Sequence, residues 1–198
     1  VRGLSARLER ASTAIDAANA EDPTTVVVRG ESVPLALAHG RLAADWVAAL
    51  GFADDDAVLL AARAHHLRRW EMPRASYPDG RAGYLRWRRD QKARHAREVA
   101  GLLVAAGYDD STVARVQSLI RRDGLGVDAG AQAVEDAACL VFLETQLAEV
   151  ATRMPRDQLV AVIRKTALKM SAAGLALAAA VPLDDAARAV LDDALGSG

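Results

Sequence analysis

His39, His65, His66 and His95 are all the imidazoles in this chain, and they fall within one stretch of it. Near neutral pH an imidazole can ligate a metal, pass a proton or hydrogen-bond in a core. Helical phase shows which way each one faces. His39 lies four residues after Leu35, three before Leu42 and seven before Trp46, on one apolar stripe. His95 precedes Val99 and Leu102 at the same kind of spacing, and His66 shares a face with Leu59 and Ala62. Asp136 shares its face with Ala133, Leu140 and Leu143, so it points a carboxylate inward from the most apolar predicted helix. A buried carboxylate needs a partner. Inward imidazoles can supply one, directly or through a metal. Singly, each histidine reads as a hydrogen-bonded core residue. Jointly, they and Asp136 mark a candidate site.

A second chemistry lies between the histidines. Residues 63–97 hold eleven Arg and Lys against Glu71, Asp79 and Asp90, a balance of +8 in a chain of −1. The same stretch carries Trp70, Tyr77, Tyr84 and Trp87. Arginine forks grip phosphate oxygens bidentately, and aromatic rings stack on bases. Arg63, Arg69, Trp70, Arg74, Tyr77, Arg81, Tyr84 and Arg88 are therefore candidate contacts for a small anion, phosphate or nucleotide-like. A solvated face with internal ion pairs explains Arg86, Arg89 and Arg94 equally well. The cluster is local, so nucleic acid is the weaker reading.

The elements that must position these groups are helical. Apolar spacing predicts helices over residues 4–20, 34–50, 54–69, 84–106, 110–122, 129–154, 156–181 (with a break at Gly174) and 184–195. Pro23, Gly51, Gly107 and Pro155 supply stops. The β-branched stretch 24–28 is expected to be a short, irregular extended crossing. Residues 70–83, with Pro73, Pro78, Gly80 and Gly83, read as a long functional loop.

Composition agrees. The 198 residues are 52% hydrophobic and only 4% aromatic, which suits one all-α domain with a sizeable core. A single cysteine, Cys139, excludes a disulfide framework and reads as a small core residue. No apolar run reaches about 18 uncharged residues and none resembles a signal peptide, so a cytoplasmic protein without membrane contact is expected.

Two resemblances sharpen this reading. Ala38-His39 through Leu50, then Leu60 through Leu67, resemble the start of an HD domain, with Asp136 at the superfamily's later aspartate and His95 on its extra histidine helix. This match spans roughly residues 36–146. More specifically, Arg63 through Pro78, Gly83 through Arg88, Ile15 through Pro23 and Glu135 through Glu144 resemble the family labelled domain of unknown function 4202, over nearly the whole chain. The resemblance implies an HD-domain-like helical bundle, with residues 1–33 as N-terminal helix and crossing, 34–154 as HD-like core and 155–198 as C-terminal helices. The DUF4202 resemblance carries no activity with it, whereas the HD resemblance implies a metal-dependent phosphohydrolase acting on a small phosphorylated or nucleotide-like metabolite. The metal ligands would come from His39, His65, His66, His95 and Asp136. Glu135 and Asp136 would be the catalytic carboxylates, Glu135 as a base or a supporting group. One departure stands out: the doublet reads His65-His66 where HD enzymes have His-Asp. A histidine cannot bridge two metals as that aspartate does. One divalent Zn, Mn, Fe, Co or Ni suits the remaining ligands. The alternatives are a binding or regulatory module without catalysis, and an HD-type iron oxygenase.

Overall fold

The computed structural model describes residues 5–196. The Ser5 hydroxyl accepts the Leu8 backbone N–H and starts α1 (Ala6–Asn19), which buries Leu8, Ala11, Ile15 and Ala18 as the apolar spacing requires. Leu4, the first residue of that predicted helix, lies outside the described residues. The stretch expected as an irregular crossing is instead regular. Strand β1 (Thr25–Val28) pairs antiparallel with β2 (Glu31–Pro34), with Val26 opposite Val33. Arg29 and Gly30 close the turn, and the ladder satisfies backbone groups that an isolated extended segment would leave to water. The Asp22 carboxylate ties the hairpin down by accepting from the backbone N–H groups of Thr24 and Ala36.

Helix α2 (Leu35–Val47) runs on through a wide turn at 48–52. Asp55 caps α3 (Asp56–Arg63). This helix was expected to reach residue 69 but stops six residues earlier. Arg68 takes up a left-handed conformation, with φ of 47°, and its N–H donates to the Asn19 side chain on α1. The expected 70–83 loop contains two short 3-10 turns, at 69–71 and 74–76. Helix α4 (Gly80–Ala105) then begins four residues earlier than expected. The Arg74 guanidinium fixes the turn into it, donating to the carbonyls of Tyr77, Pro78 and Gly80. Aspartates cap α5 (Asp110–Arg121) and α6 (Ala129–Arg153), and α7 (Arg156–Ala167) follows Pro155. The expected break at Gly174 falls instead at residues 168–171, before α8 (Ala172–Ala178). The last helix is α9 (Asp185–Leu195).

Helix α6 joins two apolar clusters. Its first half packs Ala133, Val134 and Ala137 with Leu42, Leu60, Val99 and Leu119. Its second half packs Leu140, Leu143 and Leu147 with Leu159, Ile163 and Leu191 of α7 and α9. Each fully buried leucine contributes about 2 kcal/mol. The all-α reading therefore holds, with one hairpin as the only sheet among the described residues. No described helix is long and apolar enough to cross a membrane.

Candidate functional site

Three elements deliver the histidines to one place. A Cβ on Gly40 would stand 2.4 Å from the Arg63 carbonyl oxygen, so only glycine lets α2 pass this close to the end of α3. That approach sets His39 Nδ1 3.0 Å from His66 Nδ1. The His65 and His66 rings lie 4.0 Å apart, and His95, from α4, stands 6.4 Å from His66 between ring centroids.

Hydrogen bonding fixes the protons. The Thr145 hydroxyl donates to the Val141 carbonyl (2.7 Å), so it can only accept from His39 Nε2, 3.1 Å away. Neutral His39 is then bare at Nδ1 and accepts from His66 Nδ1–H, which leaves His66 Nε2 with a free lone pair. His65 donates Nδ1–H to the Ala62 carbonyl at 2.7 Å, and its buried Nε2 has no partner. Neither ring nitrogen of His95 meets hydrogen-bond geometry, although the Leu67 backbone is near enough to favour its charged form. Burial, reinforced by Arg69, pushes His39 down to about 4 and His95 down to about 3. Burial and the neighbouring charges hold His65 and His66 well below the ordinary imidazole value. All four are neutral at neutral pH.

His65, His66 and His95 open onto a cavity of about 740 Å³. Arg69, Arg81, Arg88, Lys92, Arg122, Lys165 and Lys169 line it, and Glu135 is the only carboxylate among the described lining residues. Of the seven cations only Arg122 has an ion-pair partner among the described residues, Glu135 at 3.1 Å. Arg69 lies over the Trp87 ring at 4.5 Å and Arg88 near the Tyr84 ring at 5.9 Å, contacts that hold the guanidinium groups without neutralising them. Burial, with Arg122 nearby, pushes Lys92 down to about 8.

The chain matches the family described as Domain of unknown function (DUF4202) over residues 9–191. It belongs to the DUF4202 family. No curated protein and no solved structure matches it.

In this DUF4202 chain the expected site residues divide into two sets. The four histidines come together, and Arg69, Arg81, Tyr84, Arg88 and Glu135 line the cavity beside them. Arg63, Trp70, Arg74, Tyr77 and Asp136 do not line it. Arg63 is held bidentately by Asp16 at 2.7 Å. Arg74 is spent on backbone carbonyls, and the Tyr77 hydroxyl donates to Asp90 at 3.1 Å. Glu135 is an ion-pair partner. Burial raises its pKa, but Arg122 and Lys92 outweigh that and hold it below the usual carboxylate range. Residues that sequence reasoning did not single out are Lys92, Arg122, Lys165, Lys169 and Thr145.

Asp136 is inward, as its phase requires, but its partners are not imidazoles. Its Oδ1 accepts from the Ser171 N–H and from Gln132 Nε2, and its Oδ2 accepts from the Ser171 hydroxyl at 2.6 Å. Among the described residues no three His, Cys, Asp or Glu side chains are grouped so as to hold a metal ion. The bare histidine nitrogens have the right chemistry for a metal, yet they and Asp136 do not form one ligand set.

Asp136 instead explains the break before α8. Ser171 caps that helix through the Gly174 N–H, and a Cβ on Gly174 would stand 2.7 Å from Asp136 Cγ. Gly174→Ala is therefore expected to destabilise the fold by about 1–3 kcal/mol through overpacking. In Asp136→Ala the same change should cost less, because the 2.7 Å approach to Cγ is gone and only the 3.0 Å approach to Cβ remains. Denaturant titration of the two single variants and the double variant measures this coupling, and additive losses would refute it.

Proposed function

We propose that the cavity binds a small phosphorylated, nucleotide-like metabolite. One observation carries this reading: Arg69, Arg81, Arg88, Lys92, Lys165 and Lys169 converge on one concave site with no carboxylate in ion-pair reach among the described residues. Like charges gathered in a partly desolvated space repel one another, and an anion removes that cost. Guanidinium forks at Arg69 and Arg88 match phosphate oxygens in geometry.

Arg88→Ala is expected to weaken nucleotide binding by about tenfold or more, the usual loss for a hydrogen bond to a charged group. Arg74→Ala, by contrast, should lower the melting temperature and leave affinity unchanged, since Arg74 holds carbonyls. Calorimetric titration of both variants and the parent with a panel of nucleotides and inorganic phosphate tests this. No binding by the parent, with or without divalent metal, would end the reading.

Hydrolysis at the same site is the second reading, supported by the bare His66 Nε2 beside the cavity. His66 would accept a proton from a water as its oxygen attacks phosphorus and the bond to the leaving oxygen breaks. Arg69 and Arg88 would stabilise charge on the phosphoryl oxygens. The HD resemblance supports this chemistry and implies a metal, but no step is assigned to one, because the imidazoles and Asp136 are not grouped as ligands. Elemental analysis of protein purified without a nickel column tests the metal. Phosphate release that is lost in His66→Gln, with binding retained, supports hydrolysis. Binding without turnover across the panel leaves a binding or regulatory module.

A further inference from the structure

The cations of the cavity fall on two walls that do not belong to one structural unit. Arg69, from the turn after α3, Arg81, Arg88 and Lys92 of α4, and Arg122 at the end of α5 form the first wall, beside the histidines. Lys165, in the last turn of α7, and Lys169, in the turn just beyond it, stand on the second. Helix α4 packs on α5 and α1, whereas α7 packs on α9 and α6, so the cavity opens between the walls. Its floor is α6, where Ala138, Cys139 and Phe142 carry no charge and Glu135, the one lining carboxylate among the described residues, is paired with Arg122. Burial keeps the Cys139 thiol protonated by pushing it up to about 12.

The second wall is held in place. Gln132 donates to the Lys169 carbonyl at 2.8 Å and to Asp136, which in turn grips Ser171 just beyond. Lys169 is thus tied by its backbone to the same helix that carries the floor.

Building on the phosphoryl-ligand reading, we infer that the ligand carries two separate phosphate groups on an uncharged body. One group is gripped by Arg69 and Arg88 at the histidine end, the other by Lys165 and Lys169 across the α6 floor. A single phosphate held by Arg69 and Arg88 leaves the two lysines without a counter-charge. A ligand reaching both gains the second contact at high effective concentration, which raises affinity without any change in the first. Pyrophosphate matches the charge of such a ligand but not its reach.

The test compares fructose 6-phosphate, fructose 1,6-bisphosphate and pyrophosphate by calorimetry at fixed ionic strength, on the parent chain and on the Lys165→Ala/Lys169→Ala variant. Both lysines are exposed, so the variant is expected to fold, and circular dichroism checks that it does. In the parent, the bisphosphate is expected to bind at least about tenfold more tightly than either other probe. The variant should lose that advantage, so that its affinities for the two sugar phosphates come together. Equal affinities for the two sugar phosphates, or pyrophosphate binding as tightly as the bisphosphate, would overturn the two-group inference while leaving the phosphate site intact. So would a variant that weakens both sugar phosphates alike. Binding of none of the three probes would overturn both.

Discussion

Glu135→Ala is expected to lower the unfolding free energy by about 3–5 kcal/mol, the cost of breaking a buried ion pair from one side. The Arg122 side chain is only 6% exposed. It donates to Glu135 and to the carbonyls of Leu119, Ile120 and Val134, and so closes the end of α5 against α6. Without Glu135 the guanidinium keeps those carbonyls but loses its counter-charge, beside Lys92 and Arg88. Retreat to solvent would break three backbone contacts. Replacing both partners by methionine should recover much of the loss, because then no unpaired charge is buried. Urea denaturation of Glu135→Ala and of the double variant measures both terms. A single variant as stable as the parent would mean that the pair contributes nothing. If Glu135 were instead a base serving the reaction alone, its removal would slow turnover and leave the denaturation midpoint where it was.

The helical faces were legible because they depend on local spacing. Leu8, Ile15, His39, His95 and Asp136 are all buried on the side that the 3.6-residue period selects. What was not legible depends on contacts made far along the chain. Residues 64–68 have ordinary helix formers, yet the helix ends because Asn19, 49 positions earlier, takes the Arg68 N–H. Arg63 reads in the sequence as an anion contact, but Asp16, 47 positions away, holds it. Inward phase alone gave Asp136 no partner, and the partner came from Ser171, 35 positions on. A Ser-x-x-Gly at 171–174 is a local capping signal that marked this start of α8. Lys165 and Lys169 have the i, i+4 spacing of any solvated helix face. Nothing in that spacing says that α7 and the turn after it bring them to the cavity that the cations of α4 line. The basic segment 63–97 therefore supplies only one side of the cationic cavity.

Between pH 6.5 and about 4 the folded chain is expected to lose several kcal/mol of stability through its histidines. The sign follows from the direction of the shifts. Unfolded imidazoles titrate near 6.5, whereas in the fold His39 sits at about 4, His95 at about 3, and His65 and His66 well below the ordinary value. Above 6.5 both states are neutral and no stability is lost. Below it, the unfolded chain takes up protons that the folded chain refuses, and each such proton costs about 1.4 kcal/mol per pH unit. The loss from His39 levels off once the folded residue itself titrates, near 4. Carboxylates held low in the fold act later: Asp109 and Asp128, each at about 2, withdraw their contribution only below the ordinary carboxylate range. The window from 6.5 to about 4 thus belongs to the imidazoles. Denaturation midpoints measured from pH 7.5 to 4.5 should fall steeply. His39→Asn should flatten the profile by about one proton, since asparagine can still hydrogen-bond Thr145 but cannot titrate. A flat profile in the parent would mean that the imidazoles protonate inside the fold. Bound phosphate provides the cross-check on function. An anion beside Arg69 relieves the charge that presses on His39, His66 and His95, raises their folded values and makes the acid loss shallower. Saturating ligand that leaves the slope unchanged would place the anion away from the histidine end of the cavity.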